Sequence, residues 1–125
     1  MAGLLSRLFG GGERALTTID AATLAAWLAS RDDVCVVDVR NADEFVGPLG
    51  HIAGALNLPL PALAARRAEL EAPGDRTLVL VCLTDKRSGQ ACRELVAAGL
   101  PRVVLLGGGM RGWHAAGLPV ADAHG

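Results

Sequence analysis

Leu78-Val79-Leu80-Val81-Cys82-Leu83-Thr84-Asp85-Lys86-Arg87-Ser88 runs from four β-forming residues through a polar loop into a segment with helical periodicity. An apolar run without alternation reads as a strand buried on both faces. Cys82 therefore stands at a strand-to-helix turn, where backbone N–H groups and a helix N-terminus converge on an anion. That setting favours thiolate, the form that attacks sulfur or phosphorus. Lys86 and Arg87 follow four and five residues on, and Lys86 is the only lysine of the chain. A free cysteine at a strand end also serves as a small apolar core group, so local chemistry by itself divides between the two readings.

Downstream, Ser88 to about Ala98 carries Ala91, Cys92, Leu95 and Val96 on one helical face, which makes Cys92 a packing residue, and Arg102 to Leu106 reads as a further strand. Upstream, Thr77 to Val81 is preceded by the turn Pro73-Gly74-Asp75. Pro61 suits the first turn of a helix to about Glu71, with Leu63 and Leu70 inward and Arg67 and Glu71 paired outside. Ala55 to Leu58 is a brief strand, Gly47 to Gly50 a turn and Asn41 to Phe45 a short helix. Val34-Cys35-Val36-Val37 is a second buried strand ending at Asp38-Val39-Arg40, which leaves Cys35 in the core. Asp20 caps a helix over Ala21 to Ser30, with Ile19 and Leu24 forming a hydrophobic staple. Strands alternating with helices at these intervals predict an α/β domain: a central parallel sheet with helices on both faces and its site at the carboxyl ends of the strands. Asp38 and Cys82 both fall at such ends.

A chain of 125 residues fits one domain, read as residues 15–121 between a flexible segment 1–14 and a short tail 122–125. Leu4, Leu5, Leu8 and Phe9 precede Gly10-Gly11-Gly12 and read as part of a frayed tail, with a short amphipathic helix as the alternative. Net charge is −1 and aromatic content 3%, which excludes a basic field or stacking platform for nucleic acid. Three cysteines without a C-x-x-C pair, and no histidine at ligand spacing, call for no metal, no cofactor and free thiols in a reducing compartment. No apolar stretch approaches the ~20 residues of a membrane span, nor the length of a signal-peptide core, so the expected location is cytoplasmic.

Four blocks in order resemble the single-domain rhodaneses from about Thr17 to Val120. They are Val37-Asp38-Val39-Arg40 with Glu44-Phe45; Gly50-His51-Ile52-Ala53-Gly54-Ala55-Leu56-Asn57-Leu58-Pro59; Val81-Cys82 through Arg87-Ser88; and Leu106-Gly107-Gly108-Gly109-Met110-Arg111-Gly112-Trp113 with Gly117-Leu118-Pro119-Val120. The resemblance implies a sulfurtransferase whose Cys82 takes a sulfane sulfur from thiosulfate or a persulfide and passes it to cyanide or a thiol, with a protein donor or acceptor as a further partner. It also implies that Leu83, Thr84, Asp85, Lys86, Arg87 and Ser88 form a cradle of backbone N–H groups, with Asp38 and Arg40 as support. Lys86 and Arg87 are expected to meet an anionic donor, or Arg87 to tie the loop to its neighbours. His51 is expected to be a hydrogen-bonded structural residue, and Trp113 to pack on the core behind a tight glycine turn. Many members carry glycine where this chain has Asp85, a mid-loop position suited to left-handed angles that aspartate tolerates. Its carboxylate opposes thiolate and anionic donors alike, with Lys86 as partial compensation, which favours a persulfide over thiosulfate as donor.

Two rivals stand beside this reading. Dual-specificity phosphatases and arsenate reductases share the architecture but need five residues between Cys and Arg, where only Leu83 to Lys86 intervene here. A sulfur-carrier or interaction module without turnover of its own would keep Cys82 and work beside a partner enzyme. A sulfhydryl that stays neutral or faces inward counts against any catalytic use of Cys82.

Overall fold

The computed structural model describes residues 16–71 and 74–122. Its strands are β1 (Thr18–Ile19), β2 (Val34–Asp38), β3 (Leu56–Asn57), β4 (Thr77–Val81) and β5 (Val103–Leu106). They form one parallel sheet in the order β1-β5-β4-β2-β3. The expected α/β architecture is thus present. Its helices are α1 (Ala21–Ser30), α2 (Ala42–Phe45), α3 (Leu63–Arg66), α4 (Ala68–Glu71), α5 (Lys86–Ala97) and α6 (Gly109–Ala115), with a 3-10 turn at Leu60–Ala62.

Strand alternation builds two core layers. Leu78 and Leu80 of β4 join Val37, Leu63, Leu70, Cys92 and Leu95 on one face, while Val79 and Val81 join Leu24, Val36, Leu106, Met110 and Trp113 on the other. All of β4 is buried, which is why its sequence is a continuous apolar run. Each fully buried Leu or Val contributes about 1.5–3 kcal/mol of hydrophobic stabilisation, and these layers hold β4 at the centre. Asp20 caps α1 by accepting from the Thr23 N–H at 2.8 Å, and Ile19 packs into the cluster that holds Leu24, so the predicted staple is present.

The structure departs from the sequence reading in several places. β1 was not expected: two residues are too short for a periodic signal, and β1 forms because Leu105 N–H donates to the Thr17 carbonyl and Gly107 N–H to that of Ile19, each at 2.8 Å. The helix expected from Pro61 to Glu71 is broken into a 3-10 turn, α3 and α4, although Leu63 and Leu70 do point inward and Arg67 does pair with Glu71 at 3.1 Å. The tighter 3-10 start follows from Pro61, which has no N–H to donate. The strand expected at Ala55 to Leu58 is confined to Leu56–Asn57. α5 begins at Lys86, two residues before the expected Ser88. The reading of Leu4, Leu5, Leu8 and Phe9 lies outside the described residues.

Candidate functional site

β2 and β4 end side by side, with Asp38 registered against Val81, and Cys82 follows directly. Only Leu83 to Asp85 separate Cys82 from α5, so Lys86, Arg87 and Ser88 lie in the helix's first turn and not in a loop. Of the six residues expected as the cradle, Leu83 to Asp85 are loop and Lys86 to Ser88 are helix N-terminus. Among the described residues the N–H groups of residues 83–88 donate to no backbone carbonyl, and the first donor is Gly89, to the Asp85 carbonyl at 2.8 Å. Such unengaged N–H groups at a helix start favour negative charge.

The loop's path is imposed from the other side by α6. Met110 N–H donates to the Cys82 carbonyl at 2.8 Å and Arg111 N–H to the Leu83 carbonyl at 3.0 Å. Gly109 has φ +54, and a Cβ there would run into the carbonyl oxygens of Cys82 and Thr84. Only glycine permits this approach. Asp85 is bound to the same turn, its carboxylate accepting the Gly108 N–H at 2.8 Å. Its backbone, at φ −135, is not left-handed, which corrects the sequence reading, and its side chain faces the glycine turn.

Cys82 is 1% exposed, and its Sγ lies 3.2 Å from the Oγ of Ser88. The residue is therefore buried, the condition that counts against catalytic use, although its sulfur meets the first turn of α5. Arg87 is engaged elsewhere: its guanidinium donates to both Glu44 carboxylate oxygens at 2.6 and 3.0 Å. Hydrogen bonding to Arg87 is the main cause that holds the Glu44 carboxyl below its ordinary range, and it raises Arg87 in return. Lys86 is exposed and makes no ion pair among the described residues.

Asp38 and Arg40 form a buried pair, 1% and 2% exposed. The Arg40 guanidinium donates to Asp38 at 2.8 and 2.9 Å, to the Gly50 carbonyl at 2.8 Å and to the Glu44 carbonyl at 3.2 Å. A charge this deep requires such partners. The network runs from the end of β2 through Glu44 to Arg87, linking the support residues to the cysteine turn. His51 is 3% exposed, stacks on Phe45 at 3.6 Å and has Nδ1 2.8 Å from the Phe45 carbonyl, which is the structural placement expected. Trp113 packs in the core and donates Nε1–H to the Pro119 carbonyl at 2.9 Å.

Burial pushes the Cys92 thiol up to about 12 and raises that of Cys35. Among the described residues no group of His, Cys, Asp and Glu could hold a metal, and no helix is long and apolar enough to cross a membrane. A cleft of about 310 Å³ opens at the opposite end of the sheet, lined by Leu70, Arg76, Leu78 and Leu100, and Cys82 is not part of it. Three features escaped the sequence reading: the Glu44 tie, the Ser88 contact with sulfur and the clamp by Gly108 and Gly109. Glu44 and the glycines sit inside the motif blocks, but only their position in space reveals the pairing.

A parallel α/β domain whose central strand delivers a cysteine into a short loop and helix start defines the class. The chain belongs to the rhodanese-like family: the model of the rhodanese-like domain matches residues 20–116. A sulfurtransferase from Allochromatium vinosum is 38% identical over 107 residues, 86% of this chain and 96% of that protein. A rhodanese-related protein from Thermoplasma volcanium superposes with a TM-score of 0.74 at 30% identity, covering 84% of this chain and 97% of that one. A thiosulfate sulfurtransferase from Pseudomonas aeruginosa gives 0.79 at 28% identity, covering 97% of this chain and 22% of that one. Family and relatives support sulfur transfer in general terms.

Proposed function

We propose that Cys82 carries a sulfane sulfur as a persulfide, taken from thiosulfate or a persulfide donor and passed to cyanide or a thiol. The observation that carries this reading is the sulfur that follows β4 and meets Ser88 Oγ at 3.2 Å in the first turn of α5, where the N–H groups of residues 83–88 have no backbone acceptor among the described residues. With thiosulfate, the Cys82 thiolate attacks the outer sulfur, an S–S bond forms, and sulfite leaves with the electron pair of the broken bond. The acceptor then attacks the terminal sulfur and Cys82 leaves as thiolate. Two displacements at one carrier predict double-displacement kinetics. In this reading the N–H groups of the loop and helix start stabilise the anion at each stage. Exposed Lys86 draws in an anionic donor, whereas Arg87, bound to Glu44, is not available to clamp a phosphate. That commitment, with the short Cys-to-Arg spacing, disfavours phosphatase chemistry. Free thiols suit a reducing, cytoplasmic setting.

The burial of Cys82 supports a second reading, a carrier or interaction module that loads or hands on sulfur only with a partner protein present. Incubation with thiosulfate or a persulfide, followed by intact mass with and without cyanide, separates the two. Gain of one sulfur, lost to cyanide and absent in Cys82→Ser, is the expected result. Loading without discharge selects the carrier, and no loading by either donor removes the enzyme reading.

A further inference from the structure

We propose that the Ser88 hydroxyl is the side-chain donor to the Cys82 sulfur and that it redirects its one proton as the thiol ionises. The inference deepens the reading of Cys82 as sulfur carrier and rests on it for the transfer step alone.

Ser88 is 0% exposed, so its hydroxyl must find its partners within the protein. Its Oγ lies 3.2 Å from Cys82 Sγ and 3.3 Å from the Asp85 carbonyl oxygen. A hydroxyl has one proton to donate and lone pairs to accept with, so only one of these contacts receives its proton at a time. With Cys82 neutral, the thiol S–H donates to Oγ and the hydroxyl donates to Asp85. With Cys82 ionised, its proton has gone to solvent, and the hydroxyl turns about its C–O bond to donate to the sulfur. No heavy atom has to move. The Asp85 carbonyl is not orphaned, because it keeps the Gly89 N–H at 2.8 Å.

That second acceptor bond makes the exchange inexpensive. The exchange also gives the sulfur, in its core layer, a side-chain donor other than Arg87, which Glu44 holds. The other charged and titratable groups on the elements packed about Cys82 are Lys86, Arg87 and Cys92 on α5, Asp38 on β2 in its pair with Arg40, Asp85 on the turn, and Arg111 on α6. None of them is altered by changing Ser88 to alanine. In the transfer cycle the thiolate occurs twice, as attacking group and as leaving group. When an acceptor bonds to the terminal sulfur and the S–S bond breaks, the electron pair returns to Sγ, where the Ser88 O–H receives it.

The test uses the full chain and two readouts. Thiolate absorbance against pH, with a matching Cys82→Ser protein subtracted, gives the Cys82 midpoint without requiring reagent access or turnover. Ser88→Ala is expected to raise that midpoint by about one pH unit, the size of a lost charge-assisted hydrogen bond. Discharge of preloaded persulfide by cyanide in a single turnover is expected to slow about tenfold. Ser88→Thr, which keeps a hydroxyl, restores both. A Ser88→Ala protein with the parent's midpoint overturns the proposal, as does one whose melting temperature falls while the midpoint stays. If no sulfur loads on the parent chain, the carrier reading fails on its own, and the titration still decides the role of Ser88.

Discussion

Asp85 shows how one side chain can act against its first reading. Its carboxylate was expected to trouble the sulfur from within a left-handed turn; it instead accepts the Gly108 N–H and fastens the loop to α6. Replacing it with glycine removes both that tie and a negative charge near the donor's approach. Thiosulfate turnover by Asp85→Gly is expected to exceed that of the parent, and a rate no faster would count against the charge argument. Asp38→Ala leaves the Arg40 guanidinium buried without its counter-ion, a loss of about 3–5 kcal/mol. Thermal or denaturant unfolding would read it, and a parent-like melting curve would refute the supporting role. Cys82→Ser changes one buried atom at the Ser88 contact, so it is expected to abolish sulfur loading and leave the circular dichroism spectrum unchanged.

Between elements, the decisive contact is the seating of α6 against the cysteine turn. Gly109→Ala places a methyl group in the path of the Cys82 and Thr84 carbonyls at a positive φ, and a loss of at least about 1–2 kcal/mol is expected from the backbone angle alone. Loading of Cys82 should fall with it. The Arg87–Glu44 tie between α5 and α2 carries a pH signature. Glu44 is held below its ordinary range, so the pair stabilises fully above that range and its contribution disappears as pH falls through the lowered value. With the two side chains 32% and 30% exposed, the tie is worth about 1 kcal/mol or less. The melting difference between the parent and Glu44→Gln should therefore be present at neutral pH and vanish in acid.

These elements also mark what could be read from the letters. β4 and β2 were legible because burial on both faces leaves no alternation, and α1 because Asp20 and its staple announce a start. β1 was not, since two residues carry no period, and α6 was hidden behind three glycines that read as a turn. At the site, Cys82 and its neighbours were legible from the strand-to-helix change. The Glu44–Arg87 pair joins residues 43 positions apart, and nothing local announces it.

Across the whole molecule, the sheet places its most buried strand at the centre and its two-residue strands β1 and β3 at the edges. Native-state hydrogen exchange should be slowest at Val79 and Leu80 and fastest at β1 and β3, and equal protection across the sheet would contradict a core organised around β4. The cleft beside Arg76 and Leu100 lies at the far pole from Cys82, so substitutions there should leave sulfur loading unchanged. Because α6 grips the loop through the main-chain oxygens of Cys82 and Leu83, the outline of the reactive corner is drawn without help from the side chains of Leu83, Thr84 or Lys86. Substitution at those three positions is thus expected to retune which molecules dock there while the frame stays as it is.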